Sequence, residues 1–299
     1  MKKILSVLLA VLLVFGSAPL SGLSGLNLHL PDWIDFDAFT LKANAETSGI
    51  FTYTITSGKA TITDCLVTAS GAISIPSDLG GCPVTSIGNW AFSGCAGLTS
   101  ITIPDSVTSI GNYAFENCTG LTSFTIPKNV SSLYSYAFNG CTNLKTITVT
   151  NGVAAIGYEW FYGYPFLAAV NLPESVLSIG GTAFSGCAGL TSITIPDSVT
   201  SIGSSAFANC TGLTSFTIPK NVSSLSSHAF DGCTNLKTIS VANGVAAIGG
   251  SWFSGYPFLM AVNLPESVTS IGNWAFSGCA GLTSITIPDS VTSIGNYAF

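Results

Sequence analysis

One 23-residue unit recurs in fixed register from Val84 to the last residue, and this periodicity constrains the fold more than any other feature of the chain. Aligned on valine, the units begin at Val84, Val107, Val130, Val153, Val176, Val199, Val222, Val245, Val268 and Val291. The first nine are complete, and the tenth stops at Phe299. Unit position 1 is always Val, position 4 is Ile or Leu, position 9 is always Phe and position 15 is always Leu in the full units. Positions 18 and 20 are also apolar, as at Ile101 and Ile103. A single unit has too little chain to bury such a set. Stacked units turn each column into a continuous row inside one core.

Within a unit, Leu98-Thr-Ser-Ile-Thr-Ile103 ends in period-2 alternation rich in β-branched residues, which predicts a strand. Pro104 then stops ladder pairing. Val107 to Gly111 reads as a second extended piece. Asn112 to Cys118 has the Ala-Phe spacing of a short helical turn. The predicted fold class is a β-rich solenoid with parallel strands, short helical turns and 23-residue coils. The pattern L-x-x-I-x-I-P-x-x-V-x-x-I-G-x-x-A-F-x-x-C resembles the BspA-type leucine-rich repeats of bacterial surface proteins, and it covers residues 84–299. The resemblance implies an exported bacterial protein with a curved solenoid, adhesion to host or matrix proteins, and no catalytic residues. The units at Val153 and Val245 depart from the pattern. Trp160 or Trp252 replaces Ala, Tyr164 or Tyr256 replaces Cys, and Pro-Phe follows. These coils are expected to be wider.

A longer period lies above the unit. Residues 84–175 and 176–267 align with 15 differences in 92 positions, and the unit at Val268 repeats the one at Val84 without a change. A four-unit block has therefore been duplicated in tandem, with a third copy begun. Most differences fall at unit positions 5 to 7 and 10. Position 7 carries Trp90, Tyr113 and Tyr136 in the first block but Thr182, Ser205 and His228 in the second, and Trp274 restores the aromatic. Tyr134, Tyr158 and Tyr162 become Ser226, Gly250 and Ser254. Losing a buried aromatic costs about 3–5 kcal/mol, so positions that exchange Tyr for Ser are expected on the surface. Exposed aromatics in a row suit protein or carbohydrate recognition. Surface drift after duplication gives the same pattern without a ligand. Trp90, Tyr113, Tyr134, Tyr136, Tyr158, Tyr162 and Trp274 are the candidate ligand-binding ridge.

Outside the repeats, Lys2, Lys3 and the apolar run Ile4–Phe15 read as a signal peptide within a leader spanning residues 1–45. Cleavage is expected after Ala18 or after Ala45. The run is too short for a membrane span of roughly 20 residues, so the mature chain is expected to have none. Residues 46–83 read as an N-terminal β cap with a degenerate repeat: a hairpin across Ser57-Gly58, then a repeat-like strand near Gly71. The last unit breaks off on a buried column, which suggests a fragment of a longer protein.

Chemistry has little room in this pattern. Seven of nine cysteines fall in one column, Cys95 to Cys279, and one Cys per coil does not converge as a zinc site requires. Buried free thiols fit better. Cys65 and Cys82 lie outside the column and flank the cap strand, which makes them a possible disulfide in an oxidising compartment. After Ala45 the only histidine is His228, and no nucleophile–base–orienter set is visible, so no catalytic, cofactor or metal residues are assigned and no enzyme is expected. Adjacent carboxylates such as Glu174 and Asp197 offer at most weak Ca²⁺ binding, and they read equally as a solvated turn. Positions 16, 17 and 19 carry hydroxyl rows such as Thr99, Ser100 and Thr102; ice binding would need this face to be flat. There is no Arg, and the repeats hold only Lys128, Lys145, Lys220 and Lys237, which excludes a nucleic-acid patch. The expected function is a secreted or cell-surface, adhesin-like, monomeric interaction protein that binds a protein or glycan outside the cell. Two alternatives are a structural spacer displaying a missing C-terminal domain, and the N-terminal part of an extracellular enzyme whose catalytic domain lies beyond Phe299.

Overall fold

The computed structural model describes residues 45–299, so the expected signal peptide lies outside the described residues. The described chain is a right-register stack of 23-residue coils held by two parallel ladders. One ladder uses unit positions 3 and 4: Ser86 pairs with Ser109 and Ser109 with Ser132, and Ile87 pairs with Ile110 and Ile110 with Leu133. The other uses positions 17 to 20, where Phe124 pairs with Ile147 and Ile147 with Val170. Strands Leu98–Thr102, Ser123–Ile126 and Thr146–Val149 lie where period-2 alternation placed them. The same segments of units five and nine, 190–195 and 282–287, are extended without ladder pairing.

Each apolar column becomes a buried row. Phe92, Phe115, Phe138, Phe161, Phe184, Phe207, Phe230 and Phe253 are all fully buried. Their rings stack along the row, at 5.1 Å for Phe92–Phe115 and 5.1 Å for Phe184–Phe207. Burying one such side chain is worth about 1.5–3 kcal/mol, and no unit could bury it without both neighbours.

The segment expected as a short helical turn is a series of tight turns, and no helix occurs among the described residues. The hydrogen bonds give the reason. Ser93 N–H donates to Trp90 O and Cys95 N–H to Phe92 O within the coil, at 2.9 and 3.2 Å. The intervening Phe92 and Gly94 N–H groups instead donate to Ala114 O and Glu116 O of the next coil, both at 2.7 Å. An α-helix would keep all these donors within its own segment. Unit position 11 has positive φ, for example 79° at Gly94 and 56° at Asn117. Only Gly and Asn occupy that position, the two residue types that tolerate it.

The cysteine column completes this turn. The Cys118, Cys187 and Cys210 thiols donate to the carbonyls of Phe92, Phe161 and Phe184 in the preceding coil, each at 3.1 Å. Burial pushes the Cys187 thiol up to about 12, so it stays protonated and a donor. At the N-terminal end, strands Phe51–Thr56 and Lys59–Cys65 form an antiparallel hairpin through Ser57 and Gly58. The second strand lies parallel to Cys82–Ile87 and covers the first coil.

Here the structure corrects one expectation. All nine cysteines are free. Ala60 pairs with Val84 in a parallel register, so Cys65 ends its strand while Cys82 begins the neighbouring one. Counting residues from that pair puts them about 20 Å apart along the strands, far beyond disulfide reach. Cys65 instead heads the cysteine column. Its thiol and that of Cys95 both donate to Leu66 O, at 3.8 and 3.7 Å, and the neighbouring Cys95 thiol together with burial raises the Cys65 pKa.

The two atypical units open the stack on one side. The position 3–4 ladder breaks between coils three and four and again between coils seven and eight. The other ladder continues across both junctions, with Ile147 on Val170 and Ile239 on Val262. Trp160 and Trp252 stand where Ala otherwise offers its carbonyl to the preceding Phe N–H. The Tyr164 and Tyr256 hydroxyls take over as acceptors for Phe138 and Phe230 N–H, at 3.0 and 3.1 Å. Each junction is thus a wedge, closed along one edge and open along the other.

Candidate functional site

The turn segment sets the candidate ridge. Position 7 begins a tight turn with positive φ, 57° at Trp90, 55° at Tyr113 and 62° at Tyr136. The Trp90 N–H donates to Asn112 O of the next coil at 3.0 Å, and Trp90 O accepts from Ser93 N–H. The backbone is pinned from both sides, and the side chain is turned out of the stack. Trp90 is 54 % exposed even though its neighbours at Ala91 and Phe92 are fully buried.

Stacking the coils brings these rings into contact. Trp90 and Tyr113 stack at 5.7 Å with ring planes 3° apart, and Tyr113 and Tyr136 stack at 5.5 Å and 8°. Tyr162 closes the row edge-on against Tyr136 at 5.9 Å. Four rings from four consecutive coils therefore form one ladder. Tyr134 and Tyr158 are exposed nearby without stacking on it. Trp274 belongs to a second ladder, stacked on Tyr297 at 4.4 Å. Tyr297 was missed in the sequence, although it stands at position 7 of the tenth unit.

Polar side chains brace the first ladder from below. Glu116 accepts from Ser93 Oγ at 3.2 Å through one oxygen and from Asn139 Nδ2 at 3.1 Å through the other. Glu159 accepts from Ser135 Oγ at 2.6 Å. Asn89 Oδ1 accepts from Asn112 N–H at 2.9 Å. Burial among its neighbours, then the nearby Tyr162 and Glu159, holds the Tyr136 hydroxyl above its ordinary pKa. The ridge is a row of aromatic rings beside the Glu116 and Glu159 carboxylates. Such a surface supports contact recognition and offers no nucleophile.

The other groups weighed in the sequence have structural partners. Asp105 and Asp197 pair with Lys128 and Lys220 at 2.7 and 2.9 Å, so Asp197 turns toward Lys220. That contact lowers the Asp197 pKa and raises that of Lys220. The hydroxyl face at Thr99, Ser100 and Thr102 is exposed. His228 is exposed and lies 3.1 Å from Asp231. No helix of the described residues is long and apolar enough to cross a membrane.

Comparison with known proteins bears on the whole repeat region. The model of the BspA type leucine rich repeat region matches residues 71–191 and 177–299 in 6 copies. Among solved structures, the chain is similar to a leucine rich repeat protein of T. pallidum at 27% identity, covering 80% of this chain and 91% of that one with a TM-score of 0.36. A leucine rich cell surface protein from Faecalibacterium prausnitzii matches at 27% identity over 81% of this chain and 94% of its own, with a TM-score of 0.33. A leucine-rich repeat protein from Bacteroides ovatus matches at 25% identity over 84% and 90%, with a TM-score of 0.36. No curated protein sequence matches. With the family model spanning most of its length and the coil geometry in agreement, the chain belongs to the BspA-type leucine-rich repeat family.

Proposed function

We propose that this protein works outside the cell, secreted or held at the surface, as a monomeric, adhesin-like interaction protein. It binds a protein or glycan through the repeated surface, and the aromatic ridge is the contact. The observation that carries this reading is the stacked ladder of Trp90, Tyr113 and Tyr136, in which Trp90 and Tyr136 are exposed and Tyr113 is half-buried between them. Rigid aromatic edges bury large area with little entropy loss, which is why Trp and Tyr dominate binding hot spots. Export rests on the charged and apolar N-terminal segment and on the family resemblance.

The test is binding of the full chain to immobilised matrix proteins and to a glycan panel. The variant Trp90→Ser, Tyr113→Ser, Tyr136→Ser should lose at least tenfold in affinity for whichever ligand the parent binds. Unchanged affinity would remove the ridge from the function.

A further inference from the structure

The wedges between coils three and four and between coils seven and eight occupy equivalent places in the two blocks, but they are not equally open. The first encloses about 240 Å³ and the second about 450 Å³. Sequence explains the difference. His228 and Ser254 line the larger cleft where the first block has Tyr136 and Tyr162, whose rings pack against each other instead. Both clefts have the same apolar floor, Phe138, Leu144 and Leu167 in the first and Phe230, Leu236 and Leu259 in the second, and the missing rings leave more room above it in the second.

The walls of both wedges carry backbone groups that the regular junctions satisfy. At the regular junctions the position 11 N–H donates to the position 10 carbonyl of the next coil, as Gly163 does to Ser185 and Asn209 to Asp231. Gly232 would donate to Ser254, as Gly140 would to Tyr162, but neither has a partner among the described residues. The Trp252 and Ser254 carbonyls opposite accept no bond from coil seven. Gly232 is exposed, so its N–H faces water at the mouth of the cleft, and a ligand that enters must offer an acceptor in place of that water. The Asp231 carboxylate, engaged with His228, sits at the same mouth. Lys237, also near, is held by Thr234 O at 2.8 Å and by the Phe258 ring at 5.1 Å.

We infer that the cleft between coils seven and eight is a binding site for a peptide segment with an apolar side chain. A neutral amide matches both walls. Its carbonyl accepts from Gly232 N–H, its N–H donates to Ser254 O, and the side chain covers the floor. An anionic head group would meet Asp231, and a cationic one would leave Gly232 N–H unpaired. This site is separate from the aromatic ridge and stands or falls without it.

The probe is N-acetyl-L-phenylalaninamide, titrated into the full chain beside phenylacetate and phenethylamine. One equivalent of the amide should bind, with a dissociation constant on the order of a millimolar for a fragment of this size. Binding should be at least tenfold tighter than for either charged analogue. The paired variant His228→Tyr, Ser254→Tyr installs the residues that the first block already accommodates, and it should weaken the amide at least tenfold. At saturation, hydrogen exchange at the Gly232 amide should slow by a similar factor. Absence of saturable binding, equal binding of all three probes, undiminished binding to the variant, or unaltered Gly232 exchange would each overturn the assignment.

Discussion

The first block, residues 84–175, and the second, 176–267, are two versions of one structure. Not one of their 15 differences touches the Val, Phe, Leu or Cys columns. The first version carries the ring ladder with its Glu116 and Glu159 braces. The second carries Thr182, Ser205 and His228 at position 7, Ala208 for Glu116 and Ser251 for Glu159. Thr182 and Ser205 keep the same positive φ, 52° and 55°, but His228 does not, where Tyr136 has 62°. Thr182 even leaves its hydroxyl buried without a partner. A β-branched residue at positive φ with an unpaired hydroxyl is a poor structural choice. Away from His228 the coil therefore dictates the conformation of position 7, and the side chain placed there is free to serve something else.

That comparison breaks first in the core, if it breaks at all. Phe115→Ala and Phe207→Ala remove equivalent buried rings, and each should cost about 3–5 kcal/mol by denaturant unfolding. The two losses should agree within experimental error. A clear inequality would show that the blocks differ below the surface. Smaller effects are expected at the wedges. Tyr164→Phe and Tyr256→Phe each strand a buried Phe N–H, at a cost of about 1–3 kcal/mol. Tyr256→Phe should cost more, because that hydroxyl also donates to Ser227 O at 2.5 Å.

Alkali should act on the cysteine column of the second block. Burial raises the thiol pKa of Cys187, to about 12, and of Cys210, against 9.0 for the free group. At pH above about 9 the unfolded chain loses these protons while the folded chain keeps them, so stability is full below pH 9 and falls as pH rises. Unfolding midpoints measured from pH 7 to 11 should decline over the upper half of that range. A flat profile would mean that the thiols are not buried donors.

How much of this was legible beforehand differs by level. The 23-residue register, the buried columns and the outward turn of Trp90 followed from apolar spacing and from Tyr-to-Ser exchange between copies. The turn segment did not. Ala-Phe spacing near Asn112–Cys118 suits a helical turn locally, but the next coil competes for every second N–H and wins. Partner choice of that kind is invisible within one unit. The same holds for Cys65. Its place outside the column, flanking the cap strand with Cys82, suggested a pair, whereas the fold sets it beside Cys95 at the Leu66 carbonyl. The clefts left only an indirect trace, in Trp160 and Tyr164 and their copies, because an opening depends on which backbone bonds are missing.

The ridge itself gives a sharper, smaller test. Trp90→Ser should cost only about 0.5–1.5 kcal/mol, the worth of one stacked pair. In the second block, Thr182→Trp or Ser205→Tyr alone gains no stacked neighbour. Together they should show a favourable coupling of about 0.5–1.5 kcal/mol in a double-mutant cycle. Zero coupling would mean that the second block's backbone no longer aligns its rings.

The smallest expected effect lies where the blocks are identical. Lys128 and Lys220 pair with Asp105 and Asp197 at 2.7 and 2.9 Å, with about half of each side chain exposed. Both sites face water on turns, where screening and side-chain entropy offset most of the attraction. Lys128→Ala and Lys220→Ala should therefore shift the unfolding midpoint little and equally. Any shift should vanish in 1 M salt, where the screening length falls to about 3 Å. A larger loss at Lys128 than at Lys220 would mean that the braced first block depends on its turn charges in a way the second does not. The two blocks would then differ in stiffness as well as in surface, and the ladder of rings would be acting on the coils beneath it.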